Sequence, residues 1–282
     1  MLVISDEHYS PALFEKAMQE RGWPPQSYRL VVKSAQAQVN RLDELARELV
    51  VAKVNAIVAF FTPAALSAKR ATATIPIVMS AGDPVGTGIV SNVARPEGNI
   101  TGIDSAAAAL TGKRVEVLRE IVPSMQRLGV FINPLDPFSK SLVEQIKVAA
   151  ATTKLTAEII PASDVEQAMR DAAAARIDGV VVQPSLPQRT VAERLLRAGL
   201  PGVSGETPFV EAGGLLSINS SATERYRGVA FNIDRILKGA SPRDLPILQA
   251  SQFDIVVNRS TARKFGLTLS PLLLSRAEEI ID

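Results

Sequence analysis

The sequence predicts an α/β protein of two Rossmann-like lobes, each built on a parallel sheet, with a ligand cleft between them. Three observations carry this expectation. Short apolar runs of strand length alternate with helical patterns, which implies parallel strands joined by right-handed crossovers. The alternation occurs twice, once before about Thr101 and once after it. The apolar residues, 46% of the total, are mostly Ala, Val, Leu and Ile, and only 5% are aromatic, which suits buried parallel sheets covered by Ala-rich helices. At 282 residues the chain also exceeds one ordinary small domain.

In order, Leu2–Ser5 is a short apolar run and Pro11–Arg21 reads as a helix. Tyr28–Lys33 reads as a strand. Leu42, Leu45, Ala46, Leu49 and Val50 repeat at helical spacing. Ala56–Phe61 is a buried strand, Pro63–Ala71 a helix and Pro76–Ser80 a strand. Beyond Gly102 the helices fall at Gly112–Ile121, Lys140–Ala151, Val165–Ala175 and Thr190–Ala198. The strands between them are Leu128–Ile132, Ala157–Ile160, Gly179–Gln183 and a short run near Val203.

Several function classes find no support. The formal net charge is +2 with no Lys/Arg block, so nothing favours nucleic acid as a partner. Cys is absent, which removes disulfides, thiol nucleophiles and Cys-ligated metals together. No apolar run approaches the roughly 18 residues of a membrane span. The chain opens almost directly into Val3-Ile4-Ser5 with no signal-peptide pattern. His8 is the one histidine, so a Ser-His-Asp triad would have to use it. On a strand-to-helix loop it reads first as a solvated side chain, then equally as a ligand contact or a base. Ser204, in Gly-Val-Ser-Gly, lacks nucleophile-elbow spacing, and no paired metal ligands occur. The Gly82–Gly88 run matches neither phosphate-loop pattern. Neither catalytic residues, nor a metal, nor a cofactor is expected.

The strand ends are informative. Four strands finish in a polar or small residue followed by Pro: Thr62-Pro63, Gly82-Asp83-Pro84, Asn133-Pro134 and Gln183-Pro184. Pro at the first helical position is ordinary capping chemistry. Ligands of open parallel sheets also bind beyond the carboxyl ends of strands, near helix N-termini.

Longer stretches carry a family resemblance. Asp83-Pro84-Val85-Gly86-Thr87-Gly88 and Ala94-Arg95-Pro96-Glu97-Gly98-Asn99-Ile100-Thr101-Gly102 resemble the signature of ABC-transporter substrate-binding proteins that include tryptophan- and tyrosine-type receptors. Thr62–Ala65, Leu118–Pro123, Gly213–Ser217, Asp234–Gly239, Leu245–Ile247, Phe253–Asn258 and Ala262–Leu267 agree with it. The loop Asp6–Tyr9 has no clear counterpart.

The resemblance implies a type I periplasmic-binding fold whose lobes are joined by three crossovers. Lobe one would be 1–103 plus 219–252, and lobe two 104–218 plus 253–282. The helix Thr223–Lys238 would return to lobe one with Tyr226, Ala230, Ile233 and Ile236/Leu237 as its core stripe. The implied role is a receptor that closes on a small amphipathic solute, an amino acid or aromatic carboxylate, and delivers it to a membrane permease. Such a receptor would act as a monomer in the periplasm or anchored outside the cytoplasm. A sensor domain of the same fold, or a racemase- or isomerase-like enzyme, are the alternatives.

Cleft logic and the resemblance together nominate ligand contacts. Lobe one offers Ser5, His8, Tyr9, Thr62, Pro63, Gly82 and Asp83, and lobe two Asn133, Asp136, Phe138, Gln183, Pro184 and Glu206. Tyr226, at a crossover, would close the pocket or pack in its helical stripe. Asp83 or Glu206 would hold a ligand ammonium, and Thr62 with nearby N–H groups its carboxylate. Asp83 is equally a cap before Pro84, and Glu206 a turn residue after Gly205. Tyr9, Phe61 and Phe138 would pack an apolar side chain, with Phe61 also a plain core residue.

Overall fold

The computed structural model describes residues 1–282. In chain order the first elements are β1 (Leu2–Val3), α1 (Pro11–Gln19), β2 (Lys33–Ser34), α2 (Leu42–Val51), β3 (Ile57–Phe60) and α3 (Thr62–Ala71). Then come β4 (Ile77–Ala81), β5 (Ile100–Asp104), α4 (Ala107–Ile121), β6 (Arg127–Ile132), α5 (Phe138–Thr153) and β7 (Thr156–Pro161). They continue through α6 (Val165–Ala174), β8 (Gly179–Val182), α7 (Gln188–Ala198), β9 (Gly202–Ser204), α8 (Thr207–Glu211) and β10 (Leu216–Ser220). The last are α9 (Ala222–Leu237), β11 (Leu248–Gln249), β12 (Phe253–Asn258), α10 (Arg259–Lys264), α11 (Pro271–Arg276) and β13 (Glu279–Ile281).

The chain forms two compact units. The first comprises Met1–Ala107, Leu135–Phe138 and Ser220–Gln252, and the second Ala108–Pro134, Ser139–Asn219 and Phe253–Asp282. Asp136 and Phe138 therefore cluster with the first unit, not with Asn133.

The first unit has a six-stranded sheet in the order β11-β5-β4-β3-β1-β2, parallel throughout. Residues alternate across it as the pleat requires. Ile57 and Ala59 face one buried cluster, shared with Leu42, Leu45, Leu49 and Ala65 of α2 and α3. Val58 and Phe60 face the other, shared with Phe14 and Met18 of α1 and Val229 and Ile233 of α9. The second unit has seven strands in the order β13-β12-β10-β9-β8-β6-β7, with parallel pairing from β10 to β7 and between β12 and β13. Phe131, Val180 and Val182 pack there against Ala168, Val191, Leu195 and Phe209 from α6, α7 and α8.

Some expectations need correction. The strand expected at Tyr28–Lys33 shrinks to Lys33–Ser34. Its partner β1 is itself two residues long, so little ladder exists to extend it. Tyr28 and Leu30 instead rest on the core without strand pairing. Helix α4 starts at Ala107, five residues before Gly112, just after Asp104 Oδ1 accepts the Ala106 N–H at 2.9 Å. In α9, Tyr226, Ala230, Ile233 and Ile236 are buried as expected, but Leu237 is exposed.

Candidate functional site

The two sheets repeat one winding order. In the first the chain runs from β1 outward to β2, then crosses to β3 on the other side of β1. In the second β6, β7 and β8 do the same. Where the winding reverses, neighbouring strand-end loops diverge and leave a crevice beyond the carboxyl ends of the strands. The loop after β1 carries Ser5, His8 and Tyr9, the first turn of α3 after β3 carries Thr62 and Pro63, and the loops after β6 and β8 carry Asn133, Gln183 and Pro184.

At the first reversal the side chains converge. Ser5 Oγ lies 3.1 Å from His8 Nδ1. His8 is 7% exposed, so the expected solvated loop histidine is in fact buried. A short helical turn at Asp6–His8 brings its ring within 4.7 Å of the Phe61 ring, edge to face. Phe61 itself adopts φ 69° and ψ 158°, a region that a residue with a Cβ enters only under strain. Its N–H still donates to Ser80 O at 2.8 Å, and its carbonyl accepts from Ala65, opening α3. Thr62 is buried in the first turn of α3, where Pro63 lacks the N–H that a helix start leaves unused. Tyr226 is buried with its ring 5.2 Å from Phe60, and its Oη accepts the Ser10 N–H at 2.7 Å. Burial pushes the Tyr9 phenol above its ordinary range, and Tyr226, Glu15 and Tyr28 add to this, so Tyr9 stays a neutral donor.

Gly82 and Asp83 follow β4. Asp83 has φ 47°, and its Oδ1 accepts the Gly86 N–H at 2.9 Å while its carbonyl accepts from Thr87 N and Oγ1. The residue thus caps a tight turn rather than a helix. Asp104 ends β5 beside it. Burial raises the Asp104 carboxyl pKa, opposed by the N–H groups of Ala106 and Asp83 and assisted by the Asp83 charge. Asp136 Oδ1 accepts the Phe138 N–H at 2.9 Å, and the Phe138 ring lies against Gly82.

The second reversal is a buried polar lattice. Gln183 Oε1 accepts the Asn133 N–H at 2.8 Å and lies 3.0 Å from Ser139 Oγ. Gln188 Nε2 donates to the carbonyls of Gln183, Pro184 and Leu186, and its Oε1 accepts from Ser204. The Gln183 side-chain oxygen therefore ties the end of β8 to the residue after β6. Glu206 is 7% exposed, sits at the N-cap of α8, and accepts from Asn219 Nδ2 at 3.2 Å. It is a buried carboxylate, not a turn residue in solvent. The Ser80 and Ser185 hydroxyls are buried with no hydrogen-bond partner within the protein. Pattern reading missed Phe61's strain, Asp104, Gln188 and Asn219, and none has a sequence signal of its own. No group of three or more His, Cys, Asp or Glu side chains is placed to hold a metal ion.

Two α/β units with the same winding, one gathering aromatic and polar groups at its reversal and the other a buried polar lattice, have the form of a solute-binding protein. Residues 12–281 match the family described as ABC transporter substrate binding protein, and the chain belongs to it. The fold is the type I periplasmic-binding fold of that family. A curated relative, the tyrosine-binding protein of Clostridioides difficile strain R20291, is 26% identical over 266 residues, 90% of this chain and 75% of that protein. The solved ABC domain in complex with L-Trp from Streptococcus pneumonia superposes with a TM-score of 0.88 at 24% identity, covering 99% of this chain and 98% of that one. A conserved domain protein from Vibrio cholerae gives 0.86 at 25% identity over the same shares. No helix is long and apolar enough to cross a membrane.

Proposed function

We propose that this chain is the receptor of an ABC importer for an aromatic amino acid. The observation that carries the reading is the first-unit reversal point. There a strained Phe61 presents its ring to a buried His8, with the half-buried Tyr9 next in the chain. Backbone strain of this kind, about 1–3 kcal/mol, persists where surrounding structure holds it for a function. The aromatic groups suit a ligand ring. Thr62 and the N-terminus of α3 suit its carboxylate. Glu206, a buried carboxylate, is the stronger partner for its ammonium, since an ion pair out of water is screened less than one at the half-exposed Asp83. The other nominated residues are further candidate ligand contacts. The names of the relatives, a tyrosine-binding protein and an L-Trp complex, support the ligand class. The same reading puts the protein outside the cytoplasm, acting as a monomer with a membrane permease and no cofactor.

The test is mass spectrometry of small molecules released on denaturing protein purified without added ligand. Tyrosine, tryptophan or phenylalanine is expected at near-stoichiometric amounts. A sugar or nucleoside in their place overturns the reading.

A further inference from the structure

Arg114, on α4 in the second unit, is fully buried. Taking a guanidinium out of water is unfavourable, and an apolar side chain of similar size generally packs such a place at least as well. Its presence therefore points to a use for the charge. Arg114 Nε donates to Ile218 O at 2.9 Å, and Nη1 lies 3.5 Å from Thr111 Oγ1. On the other side the guanidinium rests against the backbone of Gly205. A Cβ there would meet Nη2 at 2.7 Å and Cζ at 3.2 Å. Strands β9 and β10 pair in parallel, with Leu216 opposite Val203 and Ser217 opposite Ser204. Continued, that register sets Ile218 against Gly205 and Asn219 against Glu206. The guanidinium thus bonds Ile218 of β10 and packs on Gly205 after β9, each one residue before a member of the hydrogen-bonded Glu206–Asn219 pair.

We propose that Arg114 is the positioning residue of an ammonium subsite centred on Glu206. It fixes the ends of β9 and β10 and supplies the positive charge that keeps the desolvated Glu206 carboxylate ionised, without itself touching ligand. A neighbouring cation lowers a carboxyl pKa by about 1–3. Gly205 is the necessary complement, since any side chain there displaces the guanidinium. This inference rests on the reading that Glu206 faces the ligand.

Two measurements on wild type and Arg114→Met test it. The first is carbon-13 NMR titration of the Glu206 carboxyl in the ligand-free protein, assigned with Glu206→Gln. We expect its midpoint to rise by at least one pH unit in Arg114→Met. The second is calorimetric affinity for L-tryptophan against indole-3-propionate, which lacks the ammonium. We expect the preference for L-tryptophan to fall at least tenfold. Gly205→Ala, which keeps the charge but displaces it, is expected to lower that preference as well. Should Arg114→Met fail to fold, Arg114→Lys serves. It keeps the charge and loses the fork, so the Glu206 midpoint stays near the wild-type value while L-tryptophan binding weakens. A Glu206 midpoint unmoved in Arg114→Met overturns the proposal, as does an unchanged preference, or an Arg114→Lys midpoint well above wild type. If wild type binds neither ligand, the receptor reading fails, and the titration still decides the role of Arg114.

Discussion

The Phe138 ring stands where a side chain on Gly82 would begin: a Cβ at residue 82 would lie 2.9 Å from Phe138 Cε2 and 2.9 Å from Ala107 Cβ. The glycine after β4 is thus set by the aromatic ring packed on it. Gly82→Ala is expected to lower stability by about 1–3 kcal/mol, the usual range for over-packing. The double variant Gly82→Ala/Phe138→Leu should recover part of that loss, because the two positions share one contact. Urea unfolding of the four proteins checks this; strictly additive losses contradict it.

Phe60 and Phe61 are adjacent but should respond differently to truncation. Phe60 is core, and Phe60→Ala should lose about 3–5 kcal/mol. Phe61 holds a backbone conformation that glycine adopts without strain. In Phe61→Gly the relief of about 1–3 kcal/mol offsets part of the lost ring packing. The smaller loss in Phe61→Gly, with weaker ligand binding, is the expected result in chemical denaturation and calorimetry. Equal losses of stability contradict it.

Tyr226 joins the start of α1 to α9 through the Ser10 N–H. Tyr226→Phe leaves that N–H without its acceptor and should reduce stability by about 1–3 kcal/mol while keeping the ring against Phe60. Unchanged stability in urea would show that Tyr226 contributes packing alone.

Asp104 gives a pH dependence with a definite sign. Burial holds its folded-state pKa above the unfolded value near about 4. The folded protein thus keeps the Asp104 proton to higher pH than the unfolded chain does. Its contribution is most favourable below about pH 4, declines as pH rises toward the folded-state pKa, and is a constant penalty above it. Asp104→Asn keeps an acceptor for the Ala106 N–H and removes the charge. Relative to wild type it should be more stable at pH 7 and equal at pH 3 in thermal scans. A variant less stable at pH 7 contradicts this.

Much of the fold was legible because parallel sheets write themselves as apolar runs such as Ile57–Phe60 and Gly179–Val182. The short elements past Pro201 were not, since α8, α10 and α11 are too brief to show helical periodicity. Among the site residues, Thr62, Gly82, Asn133 and Gln183 could be nominated because each precedes or follows a strand-end turn. The burial of His8 and Glu206 could not, because it depends on Phe61 and Asn219, brought close only by folding. Arg114 carries no sequence signal beyond its place in the helix expected at Gly112–Ile121. Only the placement of Gly205 and Ile218 around it reveals what it holds.

The central claim, capture of an aromatic amino acid, is tested most directly by isothermal calorimetry of ligand-stripped protein with L-tyrosine and L-tryptophan. One-to-one binding is expected, with stabilisation of about 2.7 kcal/mol at one hundred times Kd. Absence of heat and of any thermal shift with both amino acids, in protein that binds a sugar or nucleoside instead, would contradict it.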